Sequence, residues 1–166
     1  MEVRTLTEND AAAYLTVRLR SLQEHPEAFG ASYDEEQGMP LEKVAALLTS
    51  ADSPTFGAFM DGALVGIATL WRYPRVKTHH RAMLTGMYVA AEVRGQGIGQ
   101  ALIEAVLAYA RTCSGLEDVV LAVTVGNAAA RHLYVTNGFT PYSVEPRYIK
   151  IADRYYDIEW MILRIV

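Results

Sequence analysis

The sequence predicts an α/β (α+β) fold of about six to seven strands and about four helices, and three stretches point to it. The first is an apolar run with strand character, Met83 to Val89. It passes through the glycine-rich turn Val93-Arg94-Gly95-Gln96-Gly97-Ile98-Gly99-Gln100 into a helix with apolar residues at helical spacing. The second is a pair of strand-like segments, Thr55 to Met60 and Ala63 to Trp71, joined by Asp61-Gly62, a dipeptide whose tolerance of positive φ favours a tight hairpin. The third is a succession: a short buried-looking strand, Val119 to Val123, a helix that Asn127 is placed to cap, and two closing strands, roughly Phe139 to Ile151 and Tyr155 to Ile165.

Taken in order, Glu2 to Leu6 opens the chain as a strand. Thr7-Glu8-Asn9-Asp10 fits a capping box, in which the Thr7 hydroxyl and the Asp10 carboxylate satisfy free N–H groups at a helix start. Ala11, Leu15, Leu19 and Leu22 recur on one face of the helix that follows, until His25-Pro26 stops the pattern. Glu27 to Gly38 mixes Phe29, Gly30 and Tyr33 with Asp34, Glu35 and Glu36, and Pro40 to Val44 reads as a second helix with proline in its first turn. After the hairpin, Arg72 to Arg81 is a basic connection containing Arg75, Lys77, His79 and His80. The helix beyond the glycines sets Ile98, Leu102, Ala105, Val106, Tyr109 and Cys113 on one side. Gly138 ends the last helix with the positive φ that glycine tolerates, and Ala152-Asp153-Arg154 separates the two final strands. No repeat, low-complexity tract or linker intervenes, so residues 1–166 read as one domain, long enough for a real core.

Apolar residues make up 51% of the chain, yet no uninterrupted run approaches the roughly 18 needed to span a bilayer. Met1-Glu2-Val3-Arg4 has neither the basic start nor the apolar stretch of a signal peptide. A cytoplasmic protein with no membrane partner is expected. The formal net charge of −4 argues against nucleic acid as a partner, since phosphate binding is driven by Lys and Arg. The basic connection is short; it is either a solvated link between strands or a rim attracting the acidic end of a ligand. Cys113 is the only cysteine, so no internal disulfide forms, and its place at a helix end near Ala110 and Leu116 suits packing rather than chemistry. No metal-ligating set is expected.

A strand, a short turn and three closely spaced glycines at a helix start make a concave row of N–H groups where the helix dipole already favours negative charge. A phosphorylated ligand is therefore expected at Val93 to Gln100. The dinucleotide fingerprint fails in both registers, because its third glycine falls on Gln100 or on Leu102. Glu117 and Asp118 precede the next strand instead of ending it, the wrong end for a ribose-binding acid. A P-loop needs a lysine after its glycines, and none follows.

Arg94-Gly95-Gln96-Gly97-Ile98-Gly99 does resemble the pyrophosphate loop of the GNAT N-acetyltransferases, Arg/Gln-x-x-Gly-x-Gly/Ala. A second segment agrees in order and distance: Asn127-Ala128-Ala129-Ala130-Arg131-His132-Leu133-Tyr134-Val135-Thr136-Asn137-Gly138-Phe139 resembles that family's Asn-x-x-Ala-x-x-Leu-Tyr-x-x-x-Gly-Phe. The element order β-α-α-β-β-β-α-β-α-β-β is likewise that of a GNAT domain. The resemblance therefore covers essentially the whole chain and implies the GNAT acyl-CoA N-acyltransferase fold, a mixed central sheet flanked by helices.

That resemblance implies acetyl-CoA as cosubstrate and direct attack, in a ternary complex, by a primary amine of a small molecule or peptide. Backbone groups of Met87, Tyr88 and Val89 would pair with the pantetheine arm like an added strand, one N–H serving the oxyanion. N–H groups of Gly95, Gln96, Gly97, Ile98, Gly99 and Gln100 would take the pyrophosphate, Gly97 and Gly99 letting the backbone approach closely. Arg94 would add charge to the phosphates or cap the loop, and Asn127 would cap its helix and bond the pantetheine amide. Tyr134 matches the tyrosine that protonates the departing thiolate, and a phenol pKa of about 10 suits that acid. The early helical pair, with its three acids, would line the acceptor side.

The places where many relatives carry a glutamate base are here Met83 and Ala122. Glu35, Glu36, His79, His80, Glu145 or a water chain stay open as routes for the amine proton. In the C-terminal hairpin, Glu145 or Asp157 would bind a cationic amine, or the aromatics would bury themselves in a homodimer contact. The missing glutamates also keep a second class of function in view, a non-catalytic acyl-CoA-binding sensor or interaction module. A nicotinamide-dependent oxidoreductase is disfavoured by the failed glycine register.

Overall fold

Strand pairing is anchored at Asp61-Gly62, where both residues have positive φ, 50° and 81°, as a two-residue hairpin turn requires. In the computed structural model, which describes residues 1–166, this hairpin joins β2 (Thr55–Met60) to β3 (Ala63–Arg72). Before it come β1 (Glu2–Thr5), α1 (Ala11–Glu24), the single-turn α2 (Tyr33–Glu36) and α3 (Leu41–Leu48). After it come β4 (Arg81–Val89), α4 (Ile98–Thr112), β5 (Asp118–Thr124), α5 (Ala128–Thr136), β6 (Thr140–Ile151) and β7 (Arg154–Arg164). The expected order is borne out, with one short helix more than the sequence announced.

The strands form a seven-stranded mixed sheet in the order β1-β2-β3-β4-β5-β7-β6. Every neighbouring pair is antiparallel except β4–β5, the parallel pair bridged by the α4 crossover. That pair is in register only over Arg81–Met83 against Asp118–Val120. Beyond it the two strands separate. A register shift between β3 and the middle of β4 coincides with Gly86 at φ 64°, a bulge that bends β4 where the separation begins.

Alternation along the strands sends side chains to two cores. On one face Leu102, Ile103, Val106 and Ala110 of α4 pack with Leu84, Leu121 and Met161 of the sheet, all buried. On the other, Ala11 and Val17 of α1 and Val44 and Leu48 of α3 cover Ile67 and Tyr88. The helices thus form a layer on each side.

Several local expectations need correction. Leu19 is only half-buried; the inward face of α1 is Ala11, Val17, Ser21 and Leu22. Ser21 fits inside because its hydroxyl donates to the Arg18 carbonyl at 2.7 Å. The Thr7–Asp10 capping box forms in both directions, as expected; the Asp10 carboxylate accepts from the Thr7 N–H at 2.7 Å and also from the Thr7 hydroxyl at 3.1 Å. Asp10 is also gripped by Arg4 through two bonds of 2.8 Å, which hold its carboxyl well below the usual range. Within Glu27 to Gly38, Ser32 and Glu35 form a capping box that starts α2. The basic connection is a link between strands, since Arg72 donates to the carbonyls of His79 and Ser114 at 2.8 Å each.

No helix is long and apolar enough to cross a membrane.

The burial pattern makes a paired prediction. Leu102→Ala, at a fully buried position, should cost about 2–5 kcal/mol in denaturant unfolding. Leu19→Ala should cost well under half of whatever Leu102→Ala does; equal costs would mean that α1 presents the other face.

Candidate active site

Where β4 and β5 part, a cavity of about 1250 Å³ opens. Its walls are the Glu27–Ala31 loop, the glycine turn, α5 and the β6–β7 hairpin, and its strand lining includes Met83 to Val89 and Ala122 to Thr124. A second concavity, about 780 Å³ beside Arg4 and Asp10, contains none of the sequence-predicted site residues.

The backbone of β4 is the first polar element. Ala90 donates its N–H to Val65 on the β3 side at 2.8 Å, and alternation then turns the N–H and C=O groups of Val89 toward the cavity side. The Tyr88 side chain goes the opposite way, into the α1 core, and its hydroxyl donates to Glu24 at 2.7 Å. Burial first, and that bond second, push the Tyr88 phenol up to about 12. Tyr88 therefore adjoins the cavity through its main chain.

The glycine turn is the second. Gly95 and Gly97 have φ of 77° and 80°, with nothing near the position of a Cβ, so backbone conformation is what selects glycine there. Helix α4 starts without a side-chain cap. Its first inward bond runs from Ala101 N–H to Gly97 O, and no N–H from Gly95 through Gln100 has a turn or cap acceptor. These donors sit at the positive end of the helix dipole, an arrangement suited to a multiply charged anion. Gly99 is a different case. A Cβ on it would meet Leu133 Cδ2 at 3.0 Å, so this glycine serves the contact between α4 and α5 as well as lining the cavity. The Gln100 side chain is engaged in a two-way amide pair with Asn137, at 2.8 and 3.0 Å.

Arg94 folds back from the turn. Its Nε donates to Val89 O at 2.9 Å and its Nη2 lies 3.0 Å from His25 Nε2, which makes it a brace between the turn, β4 and the end of α1. Arg20 continues the brace, bonding Glu24 at 2.6 Å and both oxygens of Glu92 at 2.7 Å. The Arg20 guanidinium accordingly lowers the Glu92 carboxyl to about 2.

Helix α5 supplies the third element. Asn127 caps it, Oδ1 accepting from Ala130 N–H at 3.2 Å, and itself lines the cavity. Tyr134 is buried edge-on to Phe139, ring centroids 6.0 Å apart, yet also lines the cavity. Its hydroxyl has no hydrogen-bond partner in the protein, and burial pushes the phenol up to about 12. It is held protonated with its proton uncommitted.

None of the residues proposed as bases lines the cavity. Glu35 is engaged with the Ser32 N–H and hydroxyl at 2.8 and 2.9 Å, and Glu36 holds Arg18 through two bonds of 2.9 Å. His79 turns to the Tyr73 carbonyl, and Glu145 accepts from Trp160 Nε1 at 3.1 Å. Asp157 accepts from the Arg147 N–H, which withdraws it from the acceptor side too. Met83 and Ala122 do line the cavity. Sequence reading missed His25 and Glu27, which line it from the end of α1, with His25 Nδ1 3.6 Å from Glu27 Oε1. The His25-Pro26 pair looked only like a helix stop. Arg18 and Arg154 were also missed as cavity residues, and nothing local in the sequence marks them.

The profile of the Acetyltransferase (GNAT) family matches residues 17–139. A mycothiol acetyltransferase of Salinispora tropica is 32% identical over 148 residues, a match taking in 84% of this chain and 44% of the relative. A mycothiol acetyltransferase of Thermobispora bispora is 32% identical over 150 residues, again 84% of this chain and 46% of the relative. The chain spans less than half the length of these curated relatives. Among solved structures, an acetyltransferase of the GNAT family from Streptococcus pneumoniae superposes with a TM-score of 0.89 at 24% identity over 99% of both chains. A putative acetyltransferase from Salmonella typhimurium, solved with its cofactor acetyl-CoA, gives 0.83 at 22% identity over 100% of this chain and 94% of that one. At these identities the likeness is one of fold.

The Gly99–Leu133 contact gives a stability test. Gly99→Ala should destabilise by about 1–3 kcal/mol through overpacking, measured by denaturant unfolding. In a Leu133→Ala background the same change should become neutral or stabilising, because alanine's helix propensity then dominates. The same cost in both backgrounds would show that the contact is not what selects glycine.

Proposed function

Because the chain belongs to the Acetyltransferase (GNAT) family, we propose that it transfers the acetyl group of acetyl-CoA to a primary amine of a small molecule or peptide, by direct attack within a ternary complex. The observation that carries this reading is the set of unpaired N–H donors of Gly95, Gly97, Ile98, Gly99 and Gln100 at one wall of the cavity, which Gln96 does not line, facing the same space as the partnerless phenol of Tyr134. Acetyl-CoA supplies a thioester whose carbonyl carbon takes the amine nitrogen as the C–S bond breaks.

The residues divide the work as follows. N–H groups of Gly95, Gln96, Gly97, Ile98, Gly99 and Gln100 hold the pyrophosphate, with Arg94 bracing the turn. On the edge of β4 opened by its parting from β5, the Val89 N–H and the main chain of Met87 bind the pantetheine arm, Val89 O being taken by Arg94 and Tyr88 bonding toward β3, and one N–H there stabilises charge on the carbonyl oxygen. Asn127 adds its unengaged amide N–H groups. Tyr134 gives its proton to the leaving sulfur. Glu27 and His25 are the carboxylate and imidazole nearest the acceptor side and take over from the five residues excluded above as the way out for the amine proton.

Both cores share one sheet, which supports a single domain over residues 1–166. Exposed Tyr142 and Val144 on the edge strand β6 support pairing of two copies there. The relatives named for acetyl transfer disfavour the non-catalytic sensor. Their acceptor is not carried over to a chain that spans less than half their length.

The test is thiol release from acetyl-CoA across an amine panel, with mass spectrometry of the products. Tyr134→Phe should lower kcat on the order of 10²-fold while leaving the Kd for coenzyme A unchanged; an unaltered kcat would remove Tyr134 from the acid role. Because burial raises this phenol, its proton is present at neutral pH and is lost only as pH rises towards about 12. The kcat profile should therefore show no falling limb from Tyr134 below about pH 10, and a limb near neutrality that disappears in Tyr134→Phe would contradict this.

A further inference from the structure

The charged lining of the cavity runs against the chain as a whole. The protein carries a formal net charge of −4, yet the cavity is lined by Arg18, Arg94 and Arg154 against a single carboxylate, Glu27. Arg94 is committed to Val89 O and His25. Arg18 lies on α1 over the Phe29 ring and Arg154 at the start of β7 over the Tyr156 ring, on elements other than the glycine turn, and Trp160 also lines the cavity.

Both guanidinium groups are fixed with hydrogens to spare. Arg18 is largely buried, held through Nε and Nη2 by the two oxygens of Glu36 at 2.9 Å each, and stands 5.1 Å over the Phe29 ring. Its Nη1 has no acceptor in the protein and is not buried. Arg154 rests 4.9 Å over the Tyr156 ring and has no carboxylate within salt-bridge distance. The acids that would answer a second cationic group are engaged elsewhere: Glu145 with Trp160 Nε1 and Asp157 with the Arg147 N–H. A guanidinium offers N–H donors matched to a carboxylate, and with Arg18 neutralised by Glu36 the cation left without a counter-charge on this wall is Arg154.

Building on the acetyl-transfer reading, we propose that the acceptor is a small primary amine that also carries a carboxylate, an amino acid with an apolar or aromatic side chain. Its carboxylate sits against Arg154 and Nη1 of Arg18, and its side chain against the aromatic wall.

Matched series of acid, amide and decarboxylated amine test this: phenylalanine, phenylalaninamide and phenethylamine, with spermidine as the dicationic control. Thiol release gives kcat/KM, and calorimetry on protein saturated with coenzyme A gives acceptor affinity independently of turnover. The acid should lead the amide by roughly tenfold to a hundredfold in kcat/KM and in affinity, the worth of a charge-assisted contact, with spermidine last. Arg154 is exposed, so Arg154→Gln leaves no buried charge unpaired; it should collapse the acid-over-amide ratio toward one without moving the KM for acetyl-CoA. Arg154→Glu should invert the ratio. Equal use of acid, amide and amine, a preference for spermidine, or a ratio that Arg154→Gln leaves intact would overturn the proposal. If coenzyme A binds and no amine releases thiol, the transfer reading fails, and the acid-versus-amide affinity difference still decides this one.

Discussion

Strands β4 and β5 share hydrogen bonds over only three residue pairs, Arg81–Met83 with Asp118–Val120, and the rest of the functional architecture depends on their parting. A sheet whose neighbouring strands diverge leaves main-chain donors and acceptors without partners, a cost that a fold bears only where something else satisfies them. Here the divergence has an identifiable cause in β4. Gly86 adopts φ 64° at the register shift against β3, and the bulge bends the strand away from its parallel partner. The α4 crossover then begins beyond the end of the bent strand, which brings its uncapped first turn to the mouth of the gap. One bend thus supplies the cavity, the free edge of β4 and the position of the glycine turn.

What holds that turn against the sheet is polar and mostly exposed. Arg94, His25, Glu24, Tyr88, Arg20 and Glu92 form a continuous chain from the end of α1 to the loop after β4. Exposed pairs of this kind are screened by solvent and contribute little to global stability. Their effect is orientational, since Arg94 fixes Val89 O and the entry to the glycines at once. The same end of α1 carries His25 and leads into Glu27, so the element that bounds the cavity there also steadies the glycine turn.

Features set by local stereochemistry were legible in the sequence. Asp61-Gly62, Gly138 at φ 91° and the Asn127 cap each depend on one or two residues and their own backbone, and the two motifs that point to acyl transfer are contiguous. Features set by how distant segments meet were not. The inward face of α1 was misassigned because Leu19 outranks Ser21 on any hydrophobicity scale, whereas Ser21 bonds the Arg18 carbonyl and so can be buried. Strand β6 bends at Arg147, φ 57°, where its register against β7 shifts, and this turns Tyr148 and Ile149 into the cavity. An alternating pattern gives no sign of such a bulge. Arg18 and Arg154, more than a hundred residues apart, come to line one cavity only through the closed fold.

The apolar character of Met83 and Ala122 is itself informative about how the amine arrives. On the acetyl-transfer reading, these side chains line the gap where many GNAT proteins present a glutamate, and an ammonium group brought against them loses hydration without gaining a partner. Burial therefore favours the neutral amine, which is also the nucleophilic form: one proton leaves the ammonium as the acceptor enters, and the second leaves by way of Glu27 and His25 once the nitrogen has added to the carbonyl carbon. A carboxylate on the acceptor makes this easier. Anchored to Arg154 and Arg18, it supplies binding free energy that offsets desolvation of the amine, so that a site without a conventional base at its floor can still draw the nitrogen in unprotonated. The cationic acceptor side and the base-free floor are then two aspects of one arrangement: the charge that recognises the substrate is placed away from the atom that reacts.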